Sequence, residues 1–200
     1  MPPVKVEYSE LIETLSELFR AHGYHGTTLS TIEEASGLGK GSLYHLFANG
    51  KDEMAGRVLA MILSWFEENI YVPLESREAD ETQLFRMYDS VIDFFHEGNR
   101  VCLPGSFALY DARDHFQGEI GLYFERWVEA LTRYLNRAGL PVKEAREIAL
   151  QTIALVQGGL VLSRALQDPG VFVRILEEDR KKVTRRLKAA RTKSRSKNKD

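Results

Sequence analysis

The chain has 200 residues, 44% of them hydrophobic and 28% charged, with a formal net charge of −2. That composition excludes a wholly disordered chain and a collagen-like fibre, and the length suits one domain or two small ones with a buried core. The small net charge hides an asymmetry, because residues 180–200 carry a net +10 and residues 1–179 a net −12. The single cysteine, Cys102, excludes an intramolecular disulfide and a cysteine-built zinc site. The N-terminus MPPVKVEYSE lacks a signal-peptide pattern, and no apolar run approaches the roughly 20 residues needed to cross a bilayer. A cytoplasmic protein with no membrane partner is therefore expected.

The periodicity is helical throughout, so the fold class is all-α. Tyr8, Leu11, Ile12, Leu15, Leu18 and Phe19 recur at spacings of three and four, which predicts a first helix over about 6–22, stopped by Gly23. Thr27-Thr28 is a cap signal for a short helix to Ala35, and Gly37 ends it. A third short helix is expected over 39–47, and a fourth follows Asn49, its expected cap. Pro73 and the polar run 75–82 break the chain. Further helices are expected over 81–97, from Pro104 to Ala112, and over 114–138, 142–167 and 171–190. No strand pattern or internal repeat appears.

Two short helices joined by Ser36-Gly37-Leu38 form a helix-turn-helix, which offers its second helix to the DNA major groove. Leu38, Leu43 and Phe47 are expected to face a small core. Lys40, Ser42, Tyr44 and His45 then face outward, with Gly41 permitting close backbone approach. A cation, a hydroxyl, a phenol and an imidazole can donate to phosphates or read base edges. Thr28 and Lys51, both near helix N-termini, are placed to grip phosphates.

The segment 24–54, YHGTTLSTIEEASGLGKGSLYHLFANGKDEM, resembles the DNA-binding signature of TetR-type transcriptional regulators. The resemblance implies a three-helix DNA-binding domain over 1–50, and a helical effector-binding and dimerisation bundle over 51–190. Residues 191–200 remain as a basic, disordered tail. Matching positions carry the family's DNA-contact roles onto Thr28, Lys40, Gly41, Tyr44, His45 and Lys51, and Ser42 joins them as an outward hydroxyl. Gly39 stands where the family often has Ser or Thr. Leu46 replaces a frequent second His or aromatic and is not counted as a contact. The turn Ala48-Asn49-Gly50 is one residue longer than the commonest one. The segment 101–106 is similar to a Cys-x-x-Gly segment of a drug-responsive branch.

The resemblance further implies a homodimer built from the last two helices, through Ala149, Ile153, Val156, Leu160, Phe172, Ile175, Leu176 and Val183. It also implies a small effector in the bundle. The aromatics Trp65, Phe66, Phe85, Tyr88, Phe95, Phe107, Tyr110, Phe124 and Trp127 could line its pocket, although each also suits a bundle core. Hydroxyls of Tyr88, Ser106 and Tyr110 could orient a ligand. No charged partner is evident, so a mostly apolar effector is expected.

Against DNA binding stands the charge of residues 1–60, with five basic and eight acidic side chains. The run 37–42, GLGKGS, is not a phosphate-binding loop, because Lys40 precedes the last glycine and no strand leads in. Five histidines show no ligand spacing, although Asp111, Asp114 and His115 could touch a metal, so neither metal nor cofactor is expected. No catalytic triad signature appears. The expected function is a sequence-specific transcriptional regulator, a repressor released by its effector. The alternative is an all-helical enzyme or carrier for an apolar small molecule with a vestigial helix-turn-helix. Cys102 suits a small core position, and the basic tail suits a polyanion-binding arm.

Overall fold

The computed structural model describes residues 7–76, 80–109 and 112–197, with side chains to residue 192. Every regular element among them is helical. Helix α1 spans Tyr8–Gly26, and its face of Leu11, Ile12, Leu15 and Phe19 is buried. It runs past the expected stop, because Gly23 alone leaves helical geometry (φ 70°, ψ 176°) and the helix resumes to Gly26. Helix α2 spans Leu29–Ser36, and Thr28 caps it by accepting from the Thr31 N–H at 3.2 Å. Gly37 ends α2 in the left-handed region (φ 68°), where a side chain would be strained. Helix α3 spans Lys40–Leu46 and α4 spans Lys51–Phe66. At the start of α4 the cap differs from expectation. Gly50 takes the cap position, and Glu53 reaches back and accepts from the backbone N–H of Asn49, one residue before it, at 3.2 Å.

A π-helical turn, Glu67–Tyr71, continues the chain into α5, Val72–Glu75. Pro73 therefore sits in a first turn, where its missing N–H is harmless, instead of breaking the helix. Helix α6 spans Glu81–Phe94, capped by the Asp80 carboxylate, and is shorter than expected because a 3₁₀ turn, His96–Gly98, follows. Helices α7, Leu103–Ala108, α8, Ala112–His115, and α9, Gln117–Arg137, replace the two predicted over 104–138. Helices α10, Val142–Leu166, and α11, Gly170–Lys197, complete the chain. Residues 191–197, expected as a disordered tail, continue α11. Four of these seven residues are Lys or Arg, which are strong helix formers, and the Thr192 hydroxyl bonds back to the Lys188 carbonyl at 3.0 Å.

Contacts group the chain into two compact units, residues 1–64 with 102–123, and 65–101 with 124–200. In the first, Leu15, Phe19, Ile32, Leu43, Phe47, Met54 and Val58 are buried together with Leu103, Phe107 and Phe116. The Tyr24 ring lies 5.4 Å from that of Phe116 and 5.9 Å from that of Phe107. The unit therefore takes part of its core from a returning segment that local sequence patterns do not reveal.

In the second unit, the Asp179 carboxylate is buried and accepts from the Tyr88 and Thr152 hydroxyls, each at 2.7 Å, which ties α6, α10 and α11 together. Burial and the Asp179 charge hold the Tyr88 hydroxyl well above the usual phenol range, so it stays a donor. Arg126 on α9 grips Glu67 at 2.7 Å and Glu75 at 3.0 Å, and Arg133 reaches the same Glu75 oxygen at 3.0 Å. Gly98 (φ 102°) faces the start of α11. A Cβ there would lie 2.8 Å from the Phe172 Cβ and 2.9 Å from the Pro169 carbonyl oxygen.

Helices α10 and α11 form the most extensive helix pair. Ala149, Ile153, Val156, Leu160, Phe172, Leu176 and Val183, expected at a dimer interface, are all buried within the chain, and Ile175 is half-buried. This corrects the expectation. An apolar stripe at helical spacing must be covered, but its period does not say by which helix, and here α10 and α11 cover each other. The exposed apolar positions of α10 are instead Val142, at its first residue, and further along Leu150, Leu155, Val161, Leu162 and Leu166. This is the one described helix long and apolar enough to span a bilayer by length and composition, and about two-fifths of its most apolar stretch is buried.

Candidate nucleic-acid interface

Helix α3 has seven residues, and its register sorts them cleanly. Leu43 is buried, as is Phe47 just beyond the helix, while Lys40, Gly41, Ser42, Tyr44 and His45 are exposed. Thr28 is exposed at the N-terminus of α2, where its hydroxyl also lies 2.8 Å from that of Thr31. The turn before α3 is held by the Ser36 hydroxyl, which donates to the Ile32 carbonyl at 2.6 Å and accepts from the Leu38 N–H at 3.3 Å. Gly39 supplies no side-chain cap, as its identity implied. A Cβ on Gly41 would meet nothing within 4 Å, so its bare backbone leaves an open surface for a ligand to approach. The Lys40 ammonium lies 5.9 Å from the Tyr44 ring centre, and Tyr44 is 42% exposed.

Lys51 departs from the others. It is half-buried, and its ammonium donates to the Tyr24 carbonyl at 2.9 Å while lying 4.4 Å over the Tyr24 ring. An ammonium has three donors, so two remain for a phosphate. The Tyr24 hydroxyl bonds to Asp52, and burial together with that carboxylate keeps the phenol protonated. One residue's part in this surface escaped sequence reasoning. Tyr24 holds Lys51 across 27 positions, which no local signal carries. Leu46, set aside in the sequence as a contact, is 43% exposed at the end of α3.

The aromatics nominated for a ligand pocket separate. Phe107 lies in the first unit, beside a cavity of about 310 Å³ lined by His22, Tyr24, His25 and Ser106. In the second unit Phe66, Phe95 and Trp127 are fully buried. Phe66 packs 5.0 Å from Trp127, and Phe94 lies 4.9 Å from Phe66 and 4.4 Å from Trp65. Those rings make a core. Tyr88 is spent on Asp179, Phe124 and Trp65 are half-buried, and Tyr110 and Asp111 lie outside the described residues. Phe85 differs, being 37% exposed beneath the Arg180 guanidinium. Cys102 is buried, and its sulfur accepts from the Gly105 N–H at 3.4 Å at the start of α7. No cluster of three or more metal-ligating side chains occurs among the described residues.

Comparison with known proteins places this geometry. Residues 11–58 match the family model for bacterial regulatory proteins of the tetR family, and residues 94–178 match the C-terminal domain model of LmrA/YxaF-like transcriptional regulators. The regulator YxaF of Bacillus subtilis is 26% identical over 84% of this chain and 91% of its own length. The regulator LmrA of the same organism is 26% identical over 77% and 84%. The repressor KstR2 of Mycobacterium tuberculosis is 39% identical over 57% of this chain and 48% of its own. A TetR regulator structure from Legionella pneumophila superposes with a TM-score of 0.75 at 20% identity, covering 91% of this chain and 98% of that one. One from Rhodobacter sphaeroides gives 0.73 at 17% identity over 87% and 97%. Regulators of this kind bind operator DNA and function as dimers. The chain belongs to the tetR family of bacterial regulatory proteins and is a DNA-binding transcriptional regulator.

Proposed function

We propose that the protein is a homodimeric, cytoplasmic repressor whose operator binding is relieved by a small, mostly apolar effector. The observation that carries DNA reading is the register of α3, with Leu43 and Phe47 inward and Lys40, Ser42, Tyr44 and His45 outward. Residues 1–50 read the operator in this scheme. Lys40, Gly41, Ser42, Tyr44 and His45 enter the major groove, and Thr28 and Lys51 hold the phosphates on either side. Residues 51–190 dimerise and receive the effector. KstR2, which this chain resembles over part of its length, is a named repressor, and that supports the sign of regulation.

The exposed face of α10 supports a second copy as partner. Leu150, Val161, Leu162, Leu155 and Leu166 fall within about 160° of the helix circumference. The exposed small residues Ala154, Gly158 and Ala165 lie between them and would let a partner helix approach closely. The dimer then sets the two α3 helices about one DNA turn apart, and an effector that favours another spacing releases the operator. Coupling of that kind is typically about 1–3 kcal/mol.

In-vitro selection of bound DNA, repeated with apolar compounds, tests the scheme. A palindromic consensus is expected, lost in the presence of one compound. Replacing both Lys40 and Tyr44 with Ala is expected to abolish specific binding while helicity and dimerisation persist. Unchanged operator affinity in that double variant would sink the assignment.

A further inference from the structure

Between α6 and α11 the second unit carries a groove of about 600 Å³, lined by Phe85, Glu178, Arg180, Lys181, Thr184 and Arg185. That volume lies in the range of small-molecule sites. Its apolar wall is the Phe85 ring, with the Arg180 guanidinium 5.3 Å from its centre and held there by Asp89 at 2.9 Å. Lys181 is paired with Glu178 at 2.8 Å. Arg185 is not paired with any carboxylate among the described residues, and it donates only to the Lys181 carbonyl, at 3.3 Å. The second, independent feature is Thr184. It is nine-tenths buried, it lines the groove, and its hydroxyl has no hydrogen-bond partner. A buried hydroxyl without a partner is unfavourable, and a turn about the Thr184 χ1 bond that brought it to the groove would let a ligand oxygen satisfy it.

We propose that this groove binds a small aromatic carboxylate. The ring stacks along Phe85 at the edge of the Arg180 guanidinium. The carboxylate takes Arg185 as its counter-ion and accepts from the Thr184 hydroxyl. Arginine suits that role because its planar fork matches a carboxylate and stacks on aromatic faces. The groove gives the effector an anionic head that the buried aromatics of this unit do not call for. Binding here stands on the groove alone, and only its link to operator release rests on the effector reading above.

The test titrates 1-naphthoate and its neutral amide into the full chain by calorimetry. Naphthoate is expected to bind about tenfold or more tighter than the amide, and to lose about tenfold in Arg185→Ala. A smaller loss is expected in Thr184→Val, which keeps the shape of the side chain. Neither substitution removes an ion pair, so circular dichroism is expected to show unchanged helicity. Equal binding of acid and amide, no binding of the acid, or unaltered affinity in Arg185→Ala overturns the site. Operator affinity is measured in parallel. Naphthoate binding that Arg185→Ala weakens, with operator affinity unmoved by the ligand, supports the site and counts against its coupling to DNA. Operator release by a neutral compound that is indifferent to Arg185→Ala supports an effector and overturns this groove as its seat.

Discussion

Lys51 has two physical roles available, and one substitution separates them. Its ammonium braces the first unit through the Tyr24 carbonyl at 2.9 Å and the Tyr24 ring at 4.4 Å, yet keeps two donors for a phosphate. Lys51→Met preserves the length of the stem and removes the charge. The ring contact is worth about 0.5–1 kcal/mol at a half-exposed site, and the charge-assisted hydrogen bond about 1–2 kcal/mol more. A loss of about 1.5–3 kcal/mol in urea unfolding is therefore expected whichever role dominates. The DNA readout separates the two. Each phosphate contact contributes about 0.9 to the slope of log K against log salt, so two Lys51 side chains in a dimer contribute about 1.8. Fluorescence anisotropy of a selected duplex across a salt series measures that slope. A slope reduced by about 1–2 supports the phosphate role. An unchanged slope alongside the expected destabilisation would refute it and leave Lys51 as an internal strut.

Tyr88→Phe removes one of the two hydroxyls that satisfy buried Asp179, and is expected to destabilise the chain by about 1–3 kcal/mol in urea, against almost nothing for Tyr8→Phe on the surface. Acid is expected to loosen the second unit. The Arg126 guanidinium holds the Glu75 carboxyl below the usual glutamate range, so the stability it confers is full above the unfolded-state value and is lost as pH falls through the lower folded one. Urea midpoints measured downward from about pH 4.5 check this, and Glu75→Gln is expected to flatten the dependence. Truncation after Lys188 keeps the Glu144–Arg186 pair and removes the basic end of α11. It is expected to lower non-specific DNA affinity and its salt slope more than operator choice. Unaltered salt dependence would show that this end does not meet DNA.

The helix-turn-helix was legible because its determinants are local. Thr28, Gly37 and the register of Leu43 and Phe47 act within one or two helical turns, so sequence spacing already states the geometry. The dimer face was misassigned for the opposite reason. Ile153, Val156 and Leu160 show that α10 has a buried side, but only the packing of α11 shows that the covering is internal. The disordered tail was misread because its composition, rich in Lys and Arg, is equally that of a solvated helix. The effector aromatics were a mixed set. Phe66 and Trp127 are core, while Phe85 stands beside cations contributed by a helix about ninety residues further on. Long-range pairing of that sort leaves no periodic trace in one chain.

The first unit closes its core with Phe107 and Phe116, which stand against Phe19 and Tyr24 from a segment beginning at residue 102. The DNA reader is thus spliced from two stretches of chain and is not a cassette that ends with α4. A fragment cut at Ser64 would turn the faces of Phe19 and Tyr24 to water. Chimaeras that exchange operator preference between regulators would have to move both stretches together, or inherit a reader whose own floor belongs to another protein.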